Sequence, residues 1–370
     1  MASIGLCMIV RNEAHIMERC LGSALPLIDY ACIVDTGSDD DTVAVIRTFL
    51  NKHGVACNIY RDTWRDFASN RNAALKWMHL RPDIDYCLML DADEVVRYEP
   101  EFDIRRFKAQ LQLDVYDVRL RSEGAECTRV ALFENNIACY YRGKLHEFIE
   151  VPSGVTRGDA VGFYLDAVHD SARNRDAGKF LNDARVIEEA MVEETDPFML
   201  SRYSFYLGQC YMDGGEFRRA IKAFHQRVRY GGCQQEVFIS LLRIARLMVA
   251  LGYREERVLH AYLQAWSACP ERAEPLHDLA AYARVKKQFH WARLFSSFGL
   301  RLEKPAQGLF VESDLYDYKL LDEYATAAYG CGDSAGSLDA CTHLLKRAAL
   351  PAAERERILA NAGMALARLG

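Results

Sequence analysis

The sequence predicts an α/β domain with a mostly parallel sheet, followed by an all-α domain of repeated helical hairpins. Three observations predict it. Short apolar runs alternate with helical periods over residues 4–93, strand-like runs vanish after about residue 175, and 370 residues suit about two cores of ordinary size. The expected division is 1–190 and 191–370, with the boundary falling between 175 and 200.

The first half begins with Ile4 to Val10, an apolar run of strand length, and Glu13 to Leu25 follows with helical spacing. Ala31 to Thr36 is a second strand, closed by the turn residues Gly37, Ser38 and Asp39. Thr42 to Leu50 reads as a helix that stops near Gly54. Cys57 to Tyr60 is strand-like, Ala68 to Leu80 helical, and Tyr86 to Leu90 a buried strand. Between 101 and 170 the pattern loosens, with strand-rich stretches at Tyr116 to Arg121, Val130 to Phe133 and Ala138 to Val151.

The second half repeats. Leu207, Gly208, Tyr211, Gly215, Ala220 and Phe224 fall at the offsets of the TPR pattern, in which L-G-x2-Y precedes small and aromatic packing positions. Small residues let two antiparallel helices approach, and aromatics fill the space between hairpins. Weaker echoes occur at Leu279 with Phe289 and Ala292, and at Ala327 to Tyr329 with Gly332. Three or four hairpins are expected.

Composition narrows the classes of function. Half of the residues are apolar and 26% are charged, the balance of a globular chain. The net charge of -6, without a basic stripe, disfavours nucleic acid as a partner. The opening MASIGLCMIV lacks a basic flank and a small-residue cleavage site, and no later run approaches the ~20 apolar residues of a transmembrane helix. A cytoplasmic protein is expected. The 12 cysteines are scattered singly without a CxxC pair, so they read as reduced core thiols.

In an open parallel sheet, ligands bind beyond the carboxyl ends of the strands. Arg11-Asn12-Glu13, Asp35-Thr36-Gly37-Ser38 and Asp91-Ala92-Asp93-Glu94 lie at three such ends. Neither GxGxxG nor GxxxxGK[ST] is present, so a phosphate ligand would lack a glycine-rich cradle. A divalent metal is the natural substitute. Asp91 and Asp93, at i and i+2 past an apolar strand, offer hard oxygens to Mg2+ or Mn2+. The competing reading is an acidic turn that only caps a following helix.

The segments IGLCMIVRNEAHIMERCLGSALPLID, CIVDTGSDDDT, WRDFASNRNAAL and YCLMLDADE resemble, in order and strand context, the family 2 glycosyltransferases of GT-A fold. The likeness is strong over residues 4–96. RVALF (129–133), GKLHEFIE (143–150) and DAVHD (166–170) resemble the later part of the same domain, and the helical tail resembles the TPR-type extension that often follows it. The resemblance implies that Val10, Arg11 and Glu13 line the base and ribose pocket, with Asp35 bonding the nucleobase or ribose. Arg71 would face the nucleotide or its phosphates. Asp91 and Asp93, with Ala92 between them, would form the DxD-type pair, Asp93 being the closer metal ligand and His169 completing the ion's shell. Glu147 is expected as the catalytic base, with His146 beside it orienting acceptor or phosphate; Asp166 and Asp170 compete for the base role. Trp64 and Phe67 could wall the sugar pocket.

The expected activity is metal-dependent, inverting transfer of a sugar from a nucleoside diphosphate sugar, a UDP-sugar foremost. The acceptor would be a peptide, protein or glycan, and the tail would hold it or form a homodimer. One alternative is an inactive, transferase-like scaffold built around the TPR array. Retention of Asp35, Asp91, Asp93 and a late histidine argues against it. Another is a nucleotidyltransferase, disfavoured because Val10 to Glu13 contains no glycine.

Overall fold

The computed structural model describes all residues except 123–124, 176–177, 306–307 and 348–349. The chain forms two compact units, Met1–Glu193 and Glu194–Gly370.

The first unit is built on a mixed sheet. Its strands are β1 (Ile4–Val10), β2 (Tyr30–Asp35), β3 (Ala56–Arg61), β4 (Tyr86–Met89), β5 (Glu94–Tyr98), β6 (Val115–Ser122), β7 (Ala125–Glu134), β10 (Arg157–Asp159) and β11 (Phe163–Ala167). The order is β3-β2-β1-β4-β7-β6-β11-β5, with β10 beside β6. β1 pairs in parallel with both β2 and β4, whereas β7 runs antiparallel between β4 and β6. The helices are α1 (Ala14–Ala24), α2 (Thr42–Lys52), α3 (Phe67–His79), α4 (Ile104–Gln110) and α5 (Lys179–Glu193). The chain leaves β1 towards β2 on one side and returns to β4 on the other, so the strand order reverses at β1. A crevice opens there at the carboxyl ends.

Period-two alternation sorts the side chains onto two faces. Ile4, Leu6, Met8 and Val10 of β1 meet Ile16, Met17, Cys20 and Leu21 of α1 and Ile46 and Leu50 of α2. Cys7, Cys32 and Cys87, from three neighbouring strands, face Ala74, Leu75 and Met78 of α3. All three are free thiols, shut away from water. A Cβ at Gly5 would lie 2.7 Å from the end of the Met78 side chain and 2.9 Å from Ile84, so any larger residue there would make both give way.

The stretch from 138 to 151 departs from the expected strands. Only β8 (Tyr140–Arg142) and β9 (Phe148–Glu150) are extended there, pairing with each other in a separate two-stranded sheet. GKLHE forms the loop between them, and His146 has a positive φ of 52°. The strand geometry expected at His146 and Glu147 therefore does not apply. β5, a strand, follows the DADE turn, which removes the helix-capping reading of those carboxylates.

The second unit is helical throughout its described residues. Its hairpins are α6/α7 (Pro197–Asp213, Phe217–Tyr230), α8/α9 (Gln234–Ala250, Glu255–Ala268), α10/α11 (Glu274–Val285, Phe289–Gly299) and α12/α13 (Leu320–Gly330, Ser334–Leu345). α14 (Ala352–Ala367) follows. Asp196 caps α6 through the Phe198 N–H, with Pro197 in the first turn where its missing donor costs nothing. The TPR residues sit as their types require: Leu207, Tyr211, Ala220 and Phe224 are buried, and Gly215 turns the chain with φ 78°. Among the described residues, no helix is long and apolar enough to cross a membrane.

A Cβ at Gly208 would stand 2.5 Å from the Phe224 ring. Gly208→Val should therefore destabilise the helical unit by about 1–3 kcal/mol through overpacking. Urea unfolding monitored by circular dichroism measures it, and an unchanged midpoint would refute this packing.

Candidate active site

A cavity of about 860 Å³ opens at the carboxyl ends of β1, β2 and β4. Ile9, Val10, Arg11, Asn12 and Glu13 form one wall, with Thr36 beside them; Arg71, Asp91, Ala92, Asp93 and Glu94 form the floor. His169, Ser171, Ala172 and Arg173 close a third side, and Lys179, Asn182, Asp183 and Val186 of α5 a fourth.

Arg71 is the hub. Only 8% exposed, it donates from Nη2 to Asp91 Oδ1 at 2.6 Å and from Nε to Glu147 Oε1 at 2.7 Å. Its guanidinium also lies 5.3 Å from the Tyr141 ring centre. Burial works against the charge, but Asp91 and Glu147 outweigh it and hold the Arg71 pKa well above its ordinary value. A second guanidinium, Arg129 of β7, donates to Glu94 Oε2 at 2.6 Å and stands 3.5 Å from Asp91 Oδ2. Burial raises the Asp91 carboxyl, yet Arg71 and Arg129 prevail and its pKa falls below the usual value. The Glu94–Arg129 pair is pulled two ways. Arg129 is held charged by Glu94 and Asp91 against its own burial, while burial pushes Glu94 up to about 7, with Asp91 adding to the rise. The upward direction for Glu94 follows from its near-complete enclosure.

The residues around Arg71 in SNRNAAL place it. Asp66 caps α3 by accepting the Ser69 N–H. Asn70, fully buried, accepts the Arg65 N–H and donates to Asp62 and the Thr63 carbonyl, pinning the loop that carries Trp64. Asn72 clasps the main chain of Tyr141 through both amide atoms, at 2.7 and 2.9 Å. Neither asparagine figured in the sequence reading, although two asparagines flanking an arginine on a short helix were the available signal. Arg129 was likewise missed within RVALF. Trp64 and Phe67 line the cavity and meet edge to face at 4.7 Å.

The other expected residues fall in several places. Val10, Arg11, Glu13, Ala92 and Asp93 line the cavity. Glu13 is buried, and its carboxylate accepts the Ala172 N–H at 3.2 and 3.3 Å, tying the end of β1 to the segment after β11. Asp35 is buried at the end of β2 and accepts the Ser38 N–H, behind the cavity wall rather than on it. His169 reaches the cavity with φ 59° and lies 2.6 Å from Ser122 Oγ, while the neighbouring Val168 N–H binds the Asp93 carbonyl. Glu147 joins the cluster through Arg71; Lys144 and Leu145 of its loop line the cavity, and neither His146 nor Glu147 does. Asp166 and Asp170 pair with Arg97 and Arg19 and do not line it.

Among the described residues, no three His, Cys, Asp or Glu side chains converge as an ion site. Both Asp91 oxygens face arginines, and Asp91, Asp93 and His169 all line the cavity. A hard ion carried largely by phosphate oxygens and water, with one carboxylate from the protein, fits this set; an ion closed in by protein ligands does not.

Crevice, strand order and polar floor together define a mixed-sheet α/β unit resembling the GT-A fold, followed by a TPR-like array of helical hairpins. Residues 6–118 match the family model for Glycosyl transferase family 2. A TPR repeat-containing protein of Synechococcus elongatus is 32% identical over 155 residues, covering 40% of this chain and 36% of the relative. The chain thus spans little more than a third of that relative's length. Among solved structures, S. aureus TarS 1-349 in complex with UDP-GlcNAc overlaps with a TM-score of 0.36 at 12% identity, over 82% of this chain and 93% of that one. MamA overlaps with a TM-score of 0.33 at 13% identity, over 54% of this chain and 96% of that one. Overlaps so loose bear on neither fold nor chemistry.

Arg71→Ala would strand Asp91 and Glu147 in a buried setting. It should cost the first unit about 3–5 kcal/mol, the range for breaking one side of a buried ion pair. Denaturant titration checks this, and a loss within experimental error would contradict the network.

Proposed function

We propose that the first unit transfers a glycosyl group from a nucleoside diphosphate sugar to a peptide, protein or glycan acceptor with inversion. The observation that carries this reading is the cavity at the strand-order reversal, where Asp93 and the Arg71–Asp91–Arg129 cluster meet within a segment matching family 2 glycosyltransferases. UDP-sugars are the favoured donors. The nucleoside would sit against Val10, Arg11, Glu13 and Thr36, with Asp35 fixing the turn behind it. The diphosphate would lie over the floor, where Arg71 and Arg129 supply positive potential and Asp91 holds both guanidiniums in place. Asp93, with His169, would hold a bound Mg2+ or Mn2+, which neutralises the leaving diphosphate.

In the transfer, the bond from the anomeric carbon to the acceptor oxygen forms as the bond to the phosphate oxygen breaks. The acceptor proton passes to a carboxylate, and the nucleoside diphosphate departs. Glu147 is the proposed proton acceptor, with His146 beside it on the acceptor side. Arg71 fixes Glu147 through Oε1, which places this carboxylate one residue from Asp91 within a single charge cluster. A specific observation favours a second candidate: Asp183 of α5 lines the cavity and pairs with Arg173.

Calorimetric titration with UDP, GDP and CDP in Mn2+ and then in EDTA tests donor binding. One nucleotide should bind, more weakly after chelation, and Asp93→Ala should abolish the metal-dependent part. No binding by any of the three would favour the inactive scaffold. Glu147→Gln should keep UDP affinity within about threefold and lower transfer by 100-fold or more, a loss typical of a missing general base. Full transfer by Glu147→Gln, with loss in Asp183→Asn, would move the proton to Asp183.

A further inference from the structure

Two surface features of the helical unit lie on the second helices of its hairpins. On α11, Trp291, Leu294 and Phe298 recur at i, i+3 and i+7, which is one face of a helix. All three are exposed, Trp291 and Leu294 by more than half. Neighbouring rings hold the stripe in place. Trp291 stacks on Phe295 at 5.8 Å, and Phe298 meets Trp266 of α9 edge to face at 5.4 Å. The patch therefore spans two successive second helices. Contiguous apolar patches with a polar rim mark interaction surfaces.

The charge around this patch is one-sided. From Lys286 to Lys304 the only carboxylate is Glu303, whereas Lys286 and Lys287 precede α11 and Arg301 follows it. α7 goes further. Its exposed residues Arg218, Lys222, His225 and Arg229 stand at i, i+4, i+7 and i+11, a single line along the helix, and α7 contains no Asp or Glu. The buried Arg227 pairs with Glu236, but among the described residues Arg218, Lys222 and Arg229 form no ion pair. The net charge of -6 concealed this basic stripe, and its presence corrects the sequence reading. First helices of the array touch one another, α6 with α8 and α10 with α12, which leaves the second helices on the opposite side.

Charge decides what such a side fits. A two-fold contact between α11 faces of two copies would set cation against cation at both ends of the helix. An anionic bilayer meets both features at once. Tryptophan and leucine enter the interface between headgroups and acyl chains, while lysine and arginine stay with the phosphates.

We propose that the side of the helical unit formed by its second helices binds the surface of an anionic bilayer. Trp291, Leu294 and Phe298 enter the headgroup region, and the cations of α7 pair with lipid phosphates. The attachment is peripheral, belongs to the second unit alone, and does not rest on the transfer chemistry proposed for the first.

The test is flotation of the full chain with phosphatidylcholine vesicles, with and without phosphatidylglycerol. Wild type should bind the anionic vesicles at least about tenfold more tightly than the neutral ones, since each Lys or Arg near such a surface contributes about fivefold. Lys222→Glu/Arg229→Glu should weaken binding by about 25-fold or more. Trp291→Ser/Leu294→Ser should weaken it by about tenfold or more. All four side chains are exposed, so both variants should fold, which circular dichroism checks. No binding to anionic vesicles, or unchanged affinity in either folded variant, would overturn the proposal. A dimer in light scattering that Trp291→Ser/Leu294→Ser dissociates, without vesicle binding, would overturn it in favour of a second copy. If a variant unfolds, hydrogen exchange of the wild type decides. Anionic vesicles should slow exchange in α7 and α11, and unchanged exchange there would overturn the proposal.

Discussion

Arg71 carries a full charge into a position that is only 8% exposed. Removing a guanidinium from water is expensive, and the cost is offset only when carboxylates arrive at hydrogen-bonding distance with good geometry. Here they come from two separate places, Asp91 after β4 and Glu147 between β8 and β9. The three segments are consequently locked to one another. α3 cannot slide, the DADE turn cannot swing, and the β8–β9 loop cannot lift without stranding a buried charge. Asn70 and Asn72 extend the same constraint, one to the Trp64 loop and one to Tyr141. A reaction site needs this kind of fixity, because groups that are already oriented need not reorganise as charge develops.

The fold was largely legible because its signals are periodic. β1 alternates Ile4, Leu6, Met8 and Val10 against Gly5, Cys7 and Ile9, and that alternation meets a helix layer on each face. The sequence singled out DAD because two carboxylates follow an apolar strand, and the structure places both on the cavity. The stretch from 138 to 151 was not. Its residues are as β-prone as those of a strand, yet GKLHE must bend to bring Glu147 to Arg71, and tertiary pairing prevailed over local propensity. Asn70, Asn72 and Arg129 were harder to read for another reason. Their worth lies in partners between 5 and 69 positions away, and sequence spacing does not encode such meetings.

The helical unit divides in the same way. Leu207, Gly208, Tyr211 and Phe224 announce a hairpin because close helix approach demands a small residue opposite a ring. The Leu309–Phe310 turn that Arg272 holds announces nothing. Arg272 holds it through carbonyls, which every residue possesses, so composition is silent about the contact.

A crystal structure with UDP and Mn2+ bound would test the central claim most directly. The account predicts the nucleoside beside Val10 and Glu13, the diphosphate over the Arg71–Asp91–Arg129 cluster, and the ion on Asp93. A nucleotide seated elsewhere, or a diphosphate remote from both arginines, would contradict it.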